Sequence, residues 1–390
     1  MGTVSHPNLL HCVQAPSTLA TVTPADAAPS PRETIRIRPA LDALPAYVPG
    51  RPPADDGIQR YKASSNESPF PPVQAVRDAL VAAIDGLNRY PDMGARALRE
   101  ALGAEHGVDP AQIAVSTGSV AVTGDLVRAL VEAGDEVVFP WRSFEAYPIL
   151  VGMHGGTSVR VPLTAEHALD LDAMAAAITD RTRLILLCSP NNPTGPALTT
   201  EQIESFLARV PEDVVVAIDE AYREFVDPEV APDTARLFAE HANTVLLRTF
   251  SKIHGIAGLR IGYAVAHPRL ARALTQVAMP FGAASLAQTG ALACLQPAAR
   301  AELAERAAAL RAERRRVIEA LRAQGWEVPD SQGNFVFLDL RESSGEFADF
   351  ADARGLVVRA YGDDGVRVTI AETEANDRLL EIAAAWRELS

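Results

Sequence analysis

Between Pro72 and about Ala287 the sequence alternates short, β-branched apolar runs with helical stretches. The runs are "IAVS" (113–116), "EVVF" (136–139), "LILLC" (184–188), "VVVAID" (214–219), "VLLRT" (245–249) and "GYAVA" (262–266). Strands that alternate with helices force crossover connections, and crossovers build a mostly parallel sheet covered on both faces. The expected fold class is therefore α/β, with the large sheet domain at 72–297. Beyond it, "AARAELAERAAALRAERRRVIEALRAQG" places Leu303, Ala307, Leu310, Val317 and Leu321 at helical spacing, with Gly325 at the stop. This predicts one long linking helix, whose "RAERRR" reads as a solvated face laced with Glu. The runs "NFVFLDL", "GLVVRAY" and "VRVTIA" then predict strands of a smaller α+β domain within 298–390, which the segment 34–71 joins. Residues 1–33, rich in Pro, Ala, Ser and Thr and without period, are expected to be a disordered tail.

The composition narrows what such a fold is for. At 390 residues the chain exceeds what one core sustains, and 48% hydrophobic residues can fill two. A net charge of −14 argues against nucleic acid as partner, because such binders gather Lys and Arg on one face. Cys12, Cys188 and Cys294 are far apart and in no CxxC spacing, so neither a disulfide frame nor a metal site is expected. No apolar run reaches the length of a membrane span, and no Arg or Lys precedes Arg32 to begin a signal peptide. A cytoplasmic enzyme acting on small molecules is the expectation.

The candidate chemistry sits at strand ends. Among 36 basic residues only Lys62 and Lys252 are lysines. Arg stays charged at physiological pH, whereas a desolvated Lys loses its proton and becomes a nucleophile. Lys252 stands in "RTFSKIHGIAGLRIGY" beside Thr249, Ser251 and Arg260, at the carboxyl end of a predicted strand, where open α/β sheets bind ligands. Asp219 ends "VVVAID" and can pair with a cationic ring nitrogen, or with Glu220 simply cap the next segment. Asn192 lies in "SPNNPTG", which turn chemistry alone also explains. Gly118 and Ser119 open a helix whose N-terminal amides suit an anion.

Taken together, "SPNNPTG", "DEAY" and "TFSKIHGIAGLRIGY" resemble the fold-type I pyridoxal 5'-phosphate aminotransferases, in the histidinol-phosphate aminotransferase branch. The resemblance runs from about Arg36 to Ser390. It implies that Lys252 forms the Schiff base with the cofactor aldehyde and moves the substrate proton, with Asp219 and Tyr222 completing the catalytic set. Asp219 would pair with the ring nitrogen, and Asn192 and Tyr222 would contact the ring oxygen. Phe144 would stack on the ring. Gly118, Ser119, Val120, Thr249, Ser251 and Arg260 would hold the phosphate, joined by Tyr90 from the partner of a homodimer. Arg367 and Arg359 would bind the substrate anion, with Asn66 and Tyr47 beside them. The reaction would pass the amino group of an amino acid to a 2-oxo acid such as 2-oxoglutarate in ping-pong order.

On substrate, "GSVA" at the phosphate loop, "LPAYVPG", "WRSFEAYP" and "AYGDDGVRV" resemble the actinobacterial phenylalanine and aromatic amino acid aminotransferases. An aromatic amino acid is preferred over histidinol phosphate, and a specialised biosynthetic substrate stays open. "TGDL" and His254 fit neither pattern, and His254 is read as a loop or core residue.

Overall fold

The six predicted runs all become strands of one seven-stranded sheet. Strands are numbered in chain order: β1 (Tyr61–Lys62), β2 (Ile113–Ser116), β3 (Glu136–Trp141), β4 (Thr157–Pro162), β5 (Thr182–Cys188), β6 (Val215–Asp219), β7 (Thr244–Thr249) and β8 (Gly262–Val265). The computed structural model describes residues 37–42, 44–48, 50, 51, 57 and 59–389, so the expected tail at 1–33 lies outside the described residues. The sheet order is β2-β8-β7-β6-β5-β3-β4. All pairs are parallel except those of β8, which runs antiparallel to β2 and β7.

The central strands are apolar on both faces because both faces are covered. Ile185, Leu187, Val216 and Ile218 enter one hydrophobic cluster, while Leu184, Leu186, Ala217 and Leu247 enter another on the opposite side. Truncating Ile218, which is fully buried, to Ala would cost about 2–5 kcal/mol through lost transfer energy and the cavity left behind. β4, "TSVRVP", escapes the reading of apolar runs because it is an edge strand paired only with β3, and most of its residues keep contact with solvent.

The long helix spans Pro297–Ala323 and buries Leu303, Ala307, Leu310, Val317 and Leu321 as expected. The reading of "RAERRR" as solvated needs correction at Arg314. It falls on the same stripe, is 2% exposed, and donates to the carbonyls of Phe225 (2.6 Å) and Gly333 (3.1 Å) and to Asp227 (2.9 Å). A buried guanidinium survives there because carbonyls and a carboxylate satisfy it.

After this helix come β9 (Phe335–Leu338), β10 (Leu356–Val357), β11 (Arg359–Ala360) and β12 (Val366–Thr369). "GLVVRAY" is not one strand: β10 pairs in parallel with β1, while β11 pairs with β12, which also pairs with β9. A third cluster, including Phe335, Phe347, Leu356 and Leu379, fills this part. Residues 40–390 cluster as one unit. Among the described residues no helix is long and apolar enough to cross a membrane.

Candidate active site

Parallel pairing aligns the carboxyl ends of β5, β6 and β7, with Cys188 opposite Asp219. A cavity of about 380 Å³ opens at that edge. Of the residues singled out in the sequence, Lys252, Asp219, Tyr222, Ser119, Val120, Phe144, Asn192, Thr249, Ser251, Arg260 and Tyr47 line it.

Lys252 follows β7, and its Nζ lies 3.4 Å from the Ser65 carbonyl and 5.3 Å from the centre of the Tyr222 ring. Burial, and then the positive charge of Arg367, hold its pKa down to about 7; Glu67 and Asp219 pull the other way. A large fraction of this amine is therefore unprotonated at neutral pH.

Asp219 is buried at the end of β6. Burial pushes its carboxyl above the usual range, against the pull of the Tyr147 hydroxyl (2.7 Å) and the Ala221 N–H (3.2 Å). Tyr147 is fully buried and packs edge-on against Phe144 and Phe139. The neighbouring Cys188 thiol is pushed up to about 12 by burial and stays protonated.

The anion cradle is built where chain segments meet too closely for side chains. Gly118 has φ +94°, and a Cβ on it would stand 2.8 Å from Arg260 Nη2. A Cβ on Gly262 would meet the Ser119 nitrogen at 2.5 Å. The Ser119–Leu130 helix starts here, and Ser119 and Val120, whose amides precede the first helical hydrogen bonds, line the cavity. Arg260 donates to Ser251 Oγ (3.3 Å) and the Ala257 carbonyl (2.8 Å), and Thr249 Oγ1 accepts from the Ser251 N–H (3.1 Å).

Arg367, Asn66 and Arg359 do not line the cavity. Arg367 donates to Asn192 Oδ1 (2.6 Å) and the Ser64 carbonyl (2.7 Å), while its Nε is buried without a partner. Asn66 donates to the Tyr222 hydroxyl (3.0 Å) and is tied to Thr369. Arg359 pairs with Glu145 (2.8 Å) and donates to the Val48 carbonyl (2.7 Å). Tyr90 is not brought to the cavity of its own chain; it is 84% exposed and its ring lies 4.9 Å from that of Phe281. His254 packs on Phe250, 4.7 Å between ring centres. In "TGDL", Asp125 accepts from Ser116 Oγ (3.0 Å) and pairs with Arg128, a structural role. Lys62 pairs with Glu67 at the cavity's rim. Sequence reasoning missed Tyr147, Glu67 and Glu145; Tyr147 carries one usable signal, its place one turn beyond Phe144.

Residues 61–382 match the family model described as aminotransferase class I and II. The chain belongs to that family. This aminotransferase is 49% identical over 353 residues to the aromatic amino acid aminotransferase of Streptomyces coelicolor, covering 90% of this chain and 98% of the relative. It is 44% identical to the protein of the same name from Thermobifida fusca, covering 92% and 99%. In structure it resembles histidinol-phosphate aminotransferase from Sinorhizobium meliloti, solved in complex with pyridoxal 5'-phosphate, with TM-score 0.81, 28% identity and coverage of 91% and 98%. The fold-type I architecture is common to both.

Proposed function

We propose that this chain transaminates aromatic amino acids with pyridoxal 5'-phosphate, handing the amino group to a 2-oxo acid. The observation that carries the reading is the convergence on one cavity of a lysine with pKa near 7, a buried carboxylate and a glycine-built anion cradle. That donor set fits the cofactor: cradle for phosphate, carboxylate for ring nitrogen, amine for aldehyde. When bound, the cofactor supplies an aldehyde that accepts the amino group and a ring that draws electrons from the α-carbon.

The chain's own residues do the rest. Ser119 and Val120 amides, with Ser251, Thr249 and Arg260, would hold the cofactor's phosphate. Asp219, held by the Tyr147 hydroxyl, would pair with the ring nitrogen, and Phe144 would stack on the ring. Asn192 and Tyr222 would present an amide and a hydroxyl to the ring oxygen, with Asn66 holding the Tyr222 hydroxyl. Lys252 would take the substrate α-proton as general base and hand it back on the far side of the substrate nitrogen. Arg367, whose partners are neutral oxygens, keeps its charge for the substrate α-carboxylate.

The relatives named for aromatic amino acids support the substrate, as does the engagement of Arg359 by Glu145, which occupies the second cation that a phosphate ester would want. The exposed Tyr90, Met93, Met279 and Phe281 support a homodimer in which Tyr90 reaches the partner's cradle. Buried, unpaired Cys188 and Cys294 support a cytoplasmic setting. The joining of the segment before residue 72 to the smaller domain is supported by the β1–β10 pair. A donor screen tests the whole reading: kcat/KM for phenylalanine, tyrosine and tryptophan should exceed that for histidinol phosphate. The opposite order would overturn it.

A further inference from the structure

Arg359 and Arg367 stand directly opposite each other on β11 and β12, so two guanidiniums share one face of the small sheet. Like charges in that position repel. The Tyr361 ring lies near both, 5.4 Å from Arg359 and 5.5 Å from Arg367. The partners of the two differ in charge. Arg367 is held by neutral oxygens, whereas Arg359 has the carboxylate of Glu145 at 2.8 Å, in a pair of which little is exposed. Two groups that Arg359 engages come from segments that line the cavity: Glu145 is next in the chain to Phe144, and Val48, whose carbonyl it also engages, is next to Tyr47.

We propose that Glu145 is a specificity-determining residue, an internal carboxylate that occupies Arg359 and so disfavours substrates bearing a second anionic group. The inference rests on the proposed transamination and concerns how that same site chooses among donors. A neutral aromatic side chain meets a wall whose charge is already paired. A side-chain carboxylate or phosphate must displace Glu145 from Arg359 and leave it unpaired, or remain unpaired itself, and both are costly in a partly desolvated pocket. Without the Glu145 charge, Arg359 loses that carboxylate while a like-charged neighbour stands opposite it, and an incoming anion gains by taking the carboxylate's place.

The test compares wild type, Glu145→Gln, and Glu145→Gln combined with Arg359→Met. Each is assayed as holoenzyme for kcat/KM with phenylalanine, glutamate and histidinol phosphate. Glu145→Gln should raise the ratio of anionic to aromatic donor by about tenfold or more, the scale of one charge pair at a binding site. The double variant should lose that gain, because the guanidinium that Glu145 engages in the wild type is gone. Phenylalanine turnover with an unchanged ratio in Glu145→Gln would overturn the role of Glu145, as would a gain that survives the loss of Arg359. A wild type that transaminates none of the three donors would overturn the functional reading beneath it.

Discussion

Tyr147→Phe isolates the control of Asp219. The change removes one oxygen from a fully buried side chain and keeps the ring that packs edge-on against Phe144 and Phe139, so the cavity wall persists. What is lost is a 2.7 Å hydrogen bond to a buried carboxylate whose remaining donor is the Ala221 N–H at 3.2 Å. A hydrogen bond to a charged group contributes about 1.5–3 kcal/mol. At about 1.36 kcal/mol per factor of ten, that predicts about 10–150-fold weaker binding of pyridoxal 5'-phosphate at neutral pH. The pH dependence has a definite sign. Burial already holds the Asp219 carboxyl above its ordinary range, and Tyr147 pulls it down, so its removal moves the carboxyl further up. The cofactor affinity of the variant should therefore recover as pH rises. Because the folded pKa lies above the unfolded one, the ionised carboxylate costs stability once pH exceeds the unfolded value. The cofactor-free variant should melt lower than wild type at neutral pH, and the gap should narrow on acidification. Fluorescence titration of cofactor into cofactor-free protein across pH reads the first effect, and calorimetry the second. Affinity within about twofold of wild type, with an unmoved pH profile, would refute the coupling.

With only two lysines in the chain, borohydride reduction of the holoenzyme followed by peptide mass mapping should label Lys252 alone, and Lys252→Ala should abolish both the label and turnover; a label on Lys62 would move the site. Cofactor capture by the cofactor-free protein should accelerate as pH rises through about 7 and level off well below the ordinary lysine range, as stopped-flow absorbance would report. The same depressed pKa means that between about 7 and the unfolded value of 10.5 the unfolded chain binds a proton that the native one does not, so this group favours folding as pH rises through that window. Gly262→Ala should weaken cofactor binding by more than about tenfold in equilibrium dialysis, because its Cβ would press on the Ser119 nitrogen, the Gly118 carbonyl carbon and the Arg248 oxygen, none of which can rotate away.

How far the sequence speaks depends on the range over which each structural decision is made. Strands β5, β6 and β7 were legible because a doubly covered strand must be continuously apolar, and their polar ends marked the cavity at once. Edge strand β4 was not, since one partner and a wet face relax that demand. Arg314 shows a local signal overlooked: it lies four residues after Leu310 and three before Val317, on the buried stripe, and only its charge suggested otherwise. Within the site, Lys252, Asp219 and Gly118 announce themselves because their chemistry is set by their own strand or helix end. Arg359 and Arg367 look alike on sequence, two arginines on neighbouring strands. Their difference comes from Glu145, 214 positions before one, and from Asn192, 175 before the other. No local pattern encodes which guanidinium will find a carboxylate and which only an amide oxygen. Under the proposed role of Glu145, that choice would decide which of the two meets a substrate anion, and the pairings that make it exist only once the chain has folded.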